Sequence, residues 1–211
     1  PARGGRGGVD GAVIAAGIEP AAEIVHWWFA TGFLILALLL TCEALVGEEV
    51  WNRRPWRRYL WPAFLFAMGV LMFPVMTFFT SSTIHMLAHG SWAQVMMLAG
   101  AAELGLARGK LRSPWWHATT ALGMLVAGSA VLVHEQNAWF FERAAFLHHV
   151  LGWTAVVCAI FPLLKAVRPR SPIAGFGLAA TFVAFAVLLY CDRDIAPIFG
   201  HLSYLAGVPK R

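Results

Sequence analysis

The sequence predicts an all-α, polytopic integral membrane protein, built as a six-transmembrane-helix bundle with short loops. Of its 211 residues, 59% are hydrophobic and only 13% are charged, whereas about a quarter of the residues in a soluble domain are charged. The apolar residues are also grouped in long runs, and a transmembrane helix needs about 20 such residues. We therefore treat residues 1–211 as a single transmembrane domain.

Six apolar runs define the predicted spans. Because the connections between them are short, consecutive helices should be neighbours in one bundle. Pro74 and Pro162 fall inside the second and fifth spans, where a proline lacks the amide donor and kinks a helix. Trp92 and Trp153 lie deep in the third and fifth spans, and we expect both to fill the bundle interior. In chain order the spans are 22–46, 59–80, 82–106, 114–134, 144–167 and 173–191.

Basic residues predict the orientation of the bundle. They gather in or beside the connections after the first, third and fifth spans, whereas the other two connections contain one basic residue between them, Arg143. Since cytoplasmic loops are rich in Lys and Arg, both termini should lie outside, with 1–21 as an outer segment and 192–211 as an outer tail. The clustered residues are Arg53, Arg54, Arg57, Arg58, Arg108, Lys110, Arg112, Lys165, Arg168 and Arg170.

The same charges bear on location and partners. The net charge of +5 is explained by topology, and no basic face with interleaved aromatic residues indicates a nucleic acid partner. The predicted location is the bacterial inner (cytoplasmic) membrane. The expected partners are the lipid bilayer, other membrane subunits, and a periplasmic donor of metal or electrons.

Six of the eight histidines fall at one predicted depth. Each lies within about two turns of the outer end of a span, and ionisable residues at membrane depth indicate function by default. We therefore predict a metal or haem site at the outer, periplasmic face. The six residues are His26, His85, His89, His134, His148 and His149.

His85 and His89 form the strongest local motif. Their spacing of four residues places both imidazoles on one helical face, about one turn apart, which suits a shared metal ion. We predict that they are the core ligands. The alternative is that both hydrogen-bond to neighbouring helices.

The other histidines are predicted to complete the site. His148 and His149 point about 100° apart on a helix, so one should face the interior and the other a neighbouring helix or the headgroups. His26 and His134 are candidate second members. Gly152, one turn below the adjacent pair, leaves room for a flat ring or for a closely packed helix.

Methionines in the second span make copper the favoured metal. Met68, Met72 and Met76 are spaced four apart on one face, and thioethers are soft ligands that suit Cu(I). Flexible packing is the alternative role of such a stripe. Imidazole also binds zinc and iron, so these metals stay open.

A haem b or another tetrapyrrole is the alternative cofactor, with His89 and His149 as the axial ligands. A six-helix bundle with histidines on several helices resembles the b561-type cytochromes in general plan, which implies haem-based electron transfer. The outer histidines, methionines and tryptophans are similar in outline to copper-handling membrane proteins of the CopD kind, which implies copper binding or transfer.

Two further functions stay open. A zinc- or iron-dependent membrane enzyme would use Glu135 or Glu142 as a base beside the metal. An accessory subunit of a larger complex would use the histidines structurally. At the inner side, Glu43 and Glu103 are expected to pair with loop arginines, with His117 nearby.

Overall fold

The computed structural model describes residues 22–78, 83–133 and 142–191, with side chains at 24–74, 90–133 and 146–191. Every regular element in these ranges is a helix. Two 3₁₀ turns, Arg57–Tyr59 and Pro114–His117, precede α3 and α5. The helices are α1 Ala22–Val46, α2 Glu48–Trp51, α3 Leu60–Phe78, α4 Thr83–Ala107, α5 Ala118–Val133, α6 Glu142–Cys158, α7 Ile160–Val167 and α8 Pro172–Cys191.

Four segments are long and apolar enough to cross a membrane: Ile24–Val46, Pro114–Val133, Phe146–Val167 and Pro172–Cys191. These segments confirm the all-helical membrane class that the composition predicts. The second and third predicted spans also form helices, α3 and α4, but they are not among those four. The count of six spans and the orientation of the termini therefore stay predictions.

Large apolar side chains on the outside of the bundle support a membrane setting. Leu38, Leu71, Leu98 and Leu122 are 63, 72, 63 and 62% exposed, and they come from four different helices. A water-soluble protein of this size rarely displays so much apolar surface on every side. Such a surface is suited to contact with the acyl chains of lipids.

The helices pack mainly against their neighbours in the chain, as the short connections predict. Helix α3 packs along α4, α4 along α5, and α5 along α6. Helix α1 packs extensively along α8, so the first and last helices meet, and α8 also contacts α6 and α7. This order brings the start of α1 and the start of α6 to the same part of the bundle.

An aromatic cluster fills the interior between α1, α4 and α8. Phe33 stacks on Phe182 with ring centroids 5.6 Å apart, and Trp92 meets Phe185 edge-on at 5.4 Å. Trp92 is 8% exposed and Phe185 1% exposed, which confirms the interior position predicted for Trp92. Aromatic pairs in such edge-to-face and offset arrangements stabilise a core beyond the area they bury.

The interior position predicted for Trp153 is wrong. Its side chain is 58% exposed, whereas Ala155 on the same helix is fully buried. Side chains two positions apart on a helix point about 200° apart. Because Ala155 faces the bundle, Trp153 points outward. Depth along the chain indicated the level of this tryptophan in the bundle, but not the side of the helix.

The fifth predicted span is interrupted. Helix α6 ends at Cys158 and α7 begins at Ile160, with Ala159 between them. Pro162 has no amide hydrogen to donate to the carbonyl of Cys158, and its ring crowds that same carbonyl. The interruption lies one turn before Pro162, one of the two positions where a kink was predicted, whereas α3 continues through Pro74, the other position.

Gly128 and Gly152 let α5 and α6 approach closely. A Cβ atom added to Gly128 would lie 2.8 Å from the carbonyl oxygen of Gly152, and one added to Gly152 would lie 2.8 Å from Cγ of Leu132. Real Cβ atoms do not approach backbone this closely. Of the two roles predicted for Gly152, the structure therefore supports the closely packed helix.

Candidate functional site

The bundle has two chemically different ends. Arg58, Arg112 and Lys165 line one cavity, so the three basic connections meet at the same end, called the basic end below. His26 lies near the start of α1 and His148 near the start of α6, whereas the basic connections follow the far ends of α1 and α7. The opposite end is called the histidine end.

At the histidine end, the imidazole rings of His26 and His148 lie side by side. Their centroids are 6.3 Å apart and the ring planes meet at 66°. Both side chains are half-buried. Two titratable rings from helices far apart in the chain thus come together at the depth predicted for the histidine site.

A small cavity of about 50 Å³ lies between these rings and the aromatic cluster. Met72 and Trp92 line it together with apolar side chains from α1, α5, α6 and α8. The cavity can hold an ion or a few waters, whereas pockets for drug-sized ligands and cofactors begin near roughly 300 Å³. The full lining is His26, Phe29, Phe33, Met72, Trp92, Val131, His148, Leu151 and Leu189.

His148 and His149 face different surroundings, as their adjacency on a helix predicts. His148 lines the cavity, whereas the side chain of His149 is exposed. The ring of His148 also lies beside that of His26.

The side chains of His85, His89 and Met76 lie outside the described part of the chain, as does all of His134. Helix α4 begins at Thr83, so positions 85 and 89 occupy its first two turns. The two candidate bases also lie outside the described part of the chain: all of Glu135 and the side chain of Glu142. Their predicted roles stay predictions.

Among the described residues, no group of three or more His, Cys, Asp or Glu side chains is arranged to hold a metal ion. His26 and His148 bring two imidazole rings together at this end, and the Met72 thioether lines the cavity beside them. Met68, one turn earlier, is 6% exposed and packs against Gly32, where an added Cβ would lie 2.8 Å from the methionine sulfur. Of the two methionines, Met72 alone lines the cavity between the histidines.

At the basic end, Glu103 is bonded to His117. The Nδ1 atom of His117 and Oε1 of Glu103 are 2.7 Å apart, and the two side chains are 12 and 5% exposed. The expected pairing of Glu103 with a loop arginine is replaced by this contact, because the 3₁₀ turn Pro114–His117 brings the imidazole against α4. Sequence reasoning placed both groups at this end but did not pair them.

Comparison of the chain with protein-family models, curated proteins and solved structures found no match.

Proposed function

We propose that this chain is an integral membrane protein that crosses the bilayer six times, with both termini outside, and binds copper at its histidine end. The observation that carries the proposal is the pairing of His26 with His148 beside Met72. The basic connections at the opposite end would then face the cytoplasm. The copper would be held or passed on at the outer face.

The separation of the two rings supports a shared ion. An imidazole nitrogen binds a metal at about 2.0 Å, so two rings that share one ion have centroids roughly 6 Å apart. The centroids of His26 and His148 are 6.3 Å apart.

The thioether sulfur of Met72 favours copper in its reduced state, Cu(I). Met72 lines the cavity between the histidines, and thioethers select Cu(I) over zinc or magnesium. Phe29, Phe33 and Leu151 make the rest of the surroundings apolar. An apolar shell limits access of water and controls the redox behaviour of a bound ion.

The first turns of α4 supply the other proposed ligands. Helical spacing places positions 85 and 89 on the same face as Trp92 and Met96, and these two side chains are buried at 8 and 4% exposure. We assign His85 and His89 to the same copper site on this basis. His148 is preferred to His149 because it lines the cavity.

Metal analysis combined with a visible spectrum on the same purified sample tests the proposal. We expect copper bound to the protein and no haem absorption, because the cavity of about 50 Å³ beside His148 fits an ion. A Soret band that shifts on reduction with dithionite would contradict the copper site and favour the haem alternative. Bound zinc or iron in place of copper would also overturn the assignment.

A further inference from the structure

Several charged residues line a cavity at the basic end of the bundle. The cavity has a volume of about 350 Å³ and is formed mainly by residues from α1, α2, α3, α4, α7 and both 3₁₀ turns. Its rim carries the exposed side chains of Arg58 and Arg112, so the cavity reaches the surface there. The titratable and charged residues that line it are Glu43, Glu48, Arg58, Glu103, Arg112, His117 and Lys165.

The Glu103–His117 pair has a defined place for one more proton. With the carboxylate ionised, Oε1 of Glu103 accepts the hydrogen bond from Nδ1–H of His117 across 2.7 Å. The other ring nitrogen, Nε2, then carries a lone pair and is the atom that binds a proton. A carboxylate that is itself 5% exposed is well placed to stabilise the resulting imidazolium.

Glu43 adds a second proton acceptor to the same cavity. Its Oε2 atom is buried and has no hydrogen-bond partner among the described residues. Lys165 supplies the neighbouring positive charge, and its ammonium lies 5.1 Å from the centroid of the Trp61 ring. Glu43 therefore shares this cavity with the Glu103–His117 pair, away from the histidine end.

We propose that the Glu103–His117 pair and Glu43 form a proton-binding site that opens to water at the basic end of the bundle. A hydronium ion in the cavity breaks one O–H bond and becomes water, while its proton forms an N–H bond at Nε2 of His117 and leaves an imidazolium beside the Glu103 carboxylate. No bond within the protein breaks, and the proton returns to water by the same path. Glu48, Arg58, Arg112 and Lys165 are the other charged groups that face this pair.

This inference is independent of the copper site, and nitrogen NMR of the full chain in lipid nanodiscs tests it. With ¹⁵N-labelled histidine, the signal of His117 should change from the neutral to the imidazolium pattern between about pH 8 and pH 5. The assignment comes from the signal that disappears in His117→Gln. In Glu103→Gln, the protonated fraction of His117 at about pH 6 should fall at least threefold, because the stabilising charge is gone.

Glu49→Gln is the matched control for loss of a carboxylate. Glu49 lines the neighbouring cavity on α2 and is exposed, so its replacement should leave the protonated fraction of His117 unchanged. A His117 signal that keeps one protonation state over the whole range would overturn the proposal. That result needs only the unsubstituted chain and is independent of how any variant folds.

Proton counting gives the second readout. After an acid pulse on the protein in nanodiscs, His117→Gln should take up about one proton less per chain. Glutamine keeps an amide donor for Oε1 of Glu103 but cannot bind a proton at neutral pH. Equal proton uptake in His117→Gln and the unsubstituted chain would show that the pair is a structural contact only.

Discussion

His26 and His148 lie with their ring centroids 6.3 Å apart at one end of a helical bundle. The contact depends on the packing of α8 between α1 and the α6–α7 segment, because the two histidines are far apart in the chain. Two imidazoles at this separation, above an apolar cavity with a thioether in its wall, form the basis of the proposed copper site.

Met72→Leu tests the role of the thioether. Leucine fills a similar volume but has no sulfur, so the affinity for Cu(I) should fall at least about tenfold, or about 1.4 kcal/mol. Competition with a chromophoric Cu(I) chelator measures this change. The matched control is Met68→Leu, which alters a buried methionine that does not line the cavity. Equal affinities in the two variants would show that Met72 serves packing alone.

Gly128→Ala tests the close approach of α5 and α6. The new methyl group would lie 2.8 Å from the carbonyl oxygen of Gly152, and such overpacking costs about 1–3 kcal/mol. A lower midpoint of thermal unfolding in mild detergent is the expected result. Gly175→Ala is the control, since the one atom of the described residues within 4 Å of its Cβ would be the methyl of Ala44, at 3.3 Å. If Gly175→Ala lowers the midpoint more than Gly128→Ala, the packing account of this crossing fails.

Two buried threonines should respond differently to replacement by valine. Thr181 donates a hydrogen bond of 2.8 Å to the carbonyl of Gly177, so Thr181→Val should lower the free energy of unfolding by about 0.5–1.5 kcal/mol. The hydroxyl of Thr120 is buried without a hydrogen-bond partner among the described residues. Thr120→Val should therefore leave stability unchanged or raise it by up to about 1 kcal/mol.

Unfolding of both variants in the same detergent checks this pair. The two side chains are 1 and 5% exposed, so burial does not distinguish them. A larger loss for Thr120→Val than for Thr181→Val would contradict the prediction.

The helices were predictable because their sequence signal is strong and local. The first predicted span ends where α1 ends, at Val46, because the apolar run stops there and Gly47 and Glu48 follow. The interruption before Pro162 fits the kink predicted there, because a proline removes one identifiable hydrogen bond, whereas Pro74, where a kink was also predicted, leaves α3 continuous. The short helix Glu48–Trp51 was not predicted, since four residues carry no apolar periodicity.

The candidate site was predictable in depth but not in its pairings. Spacing along one helix indicates local pairs such as His85 and His89, whereas the contact of His26 with His148 depends on which helices are neighbours. Which helices are neighbours in a bundle depends on packing between small residues such as Gly128 and Gly152. The hydropathy pattern of the sequence does not indicate these neighbours. The outward direction of Trp153 was missed for the same reason.

The affinity for Cu(I) in three alanine variants tests the central claim most directly. His26→Ala and His148→Ala should each weaken binding at least about tenfold, because each removes one of the two paired imidazoles. His149→Ala, which changes an exposed histidine next to the site, should stay within about twofold of the unsubstituted chain. Equal affinities in all three variants, or no copper bound by the unsubstituted chain, would contradict the account.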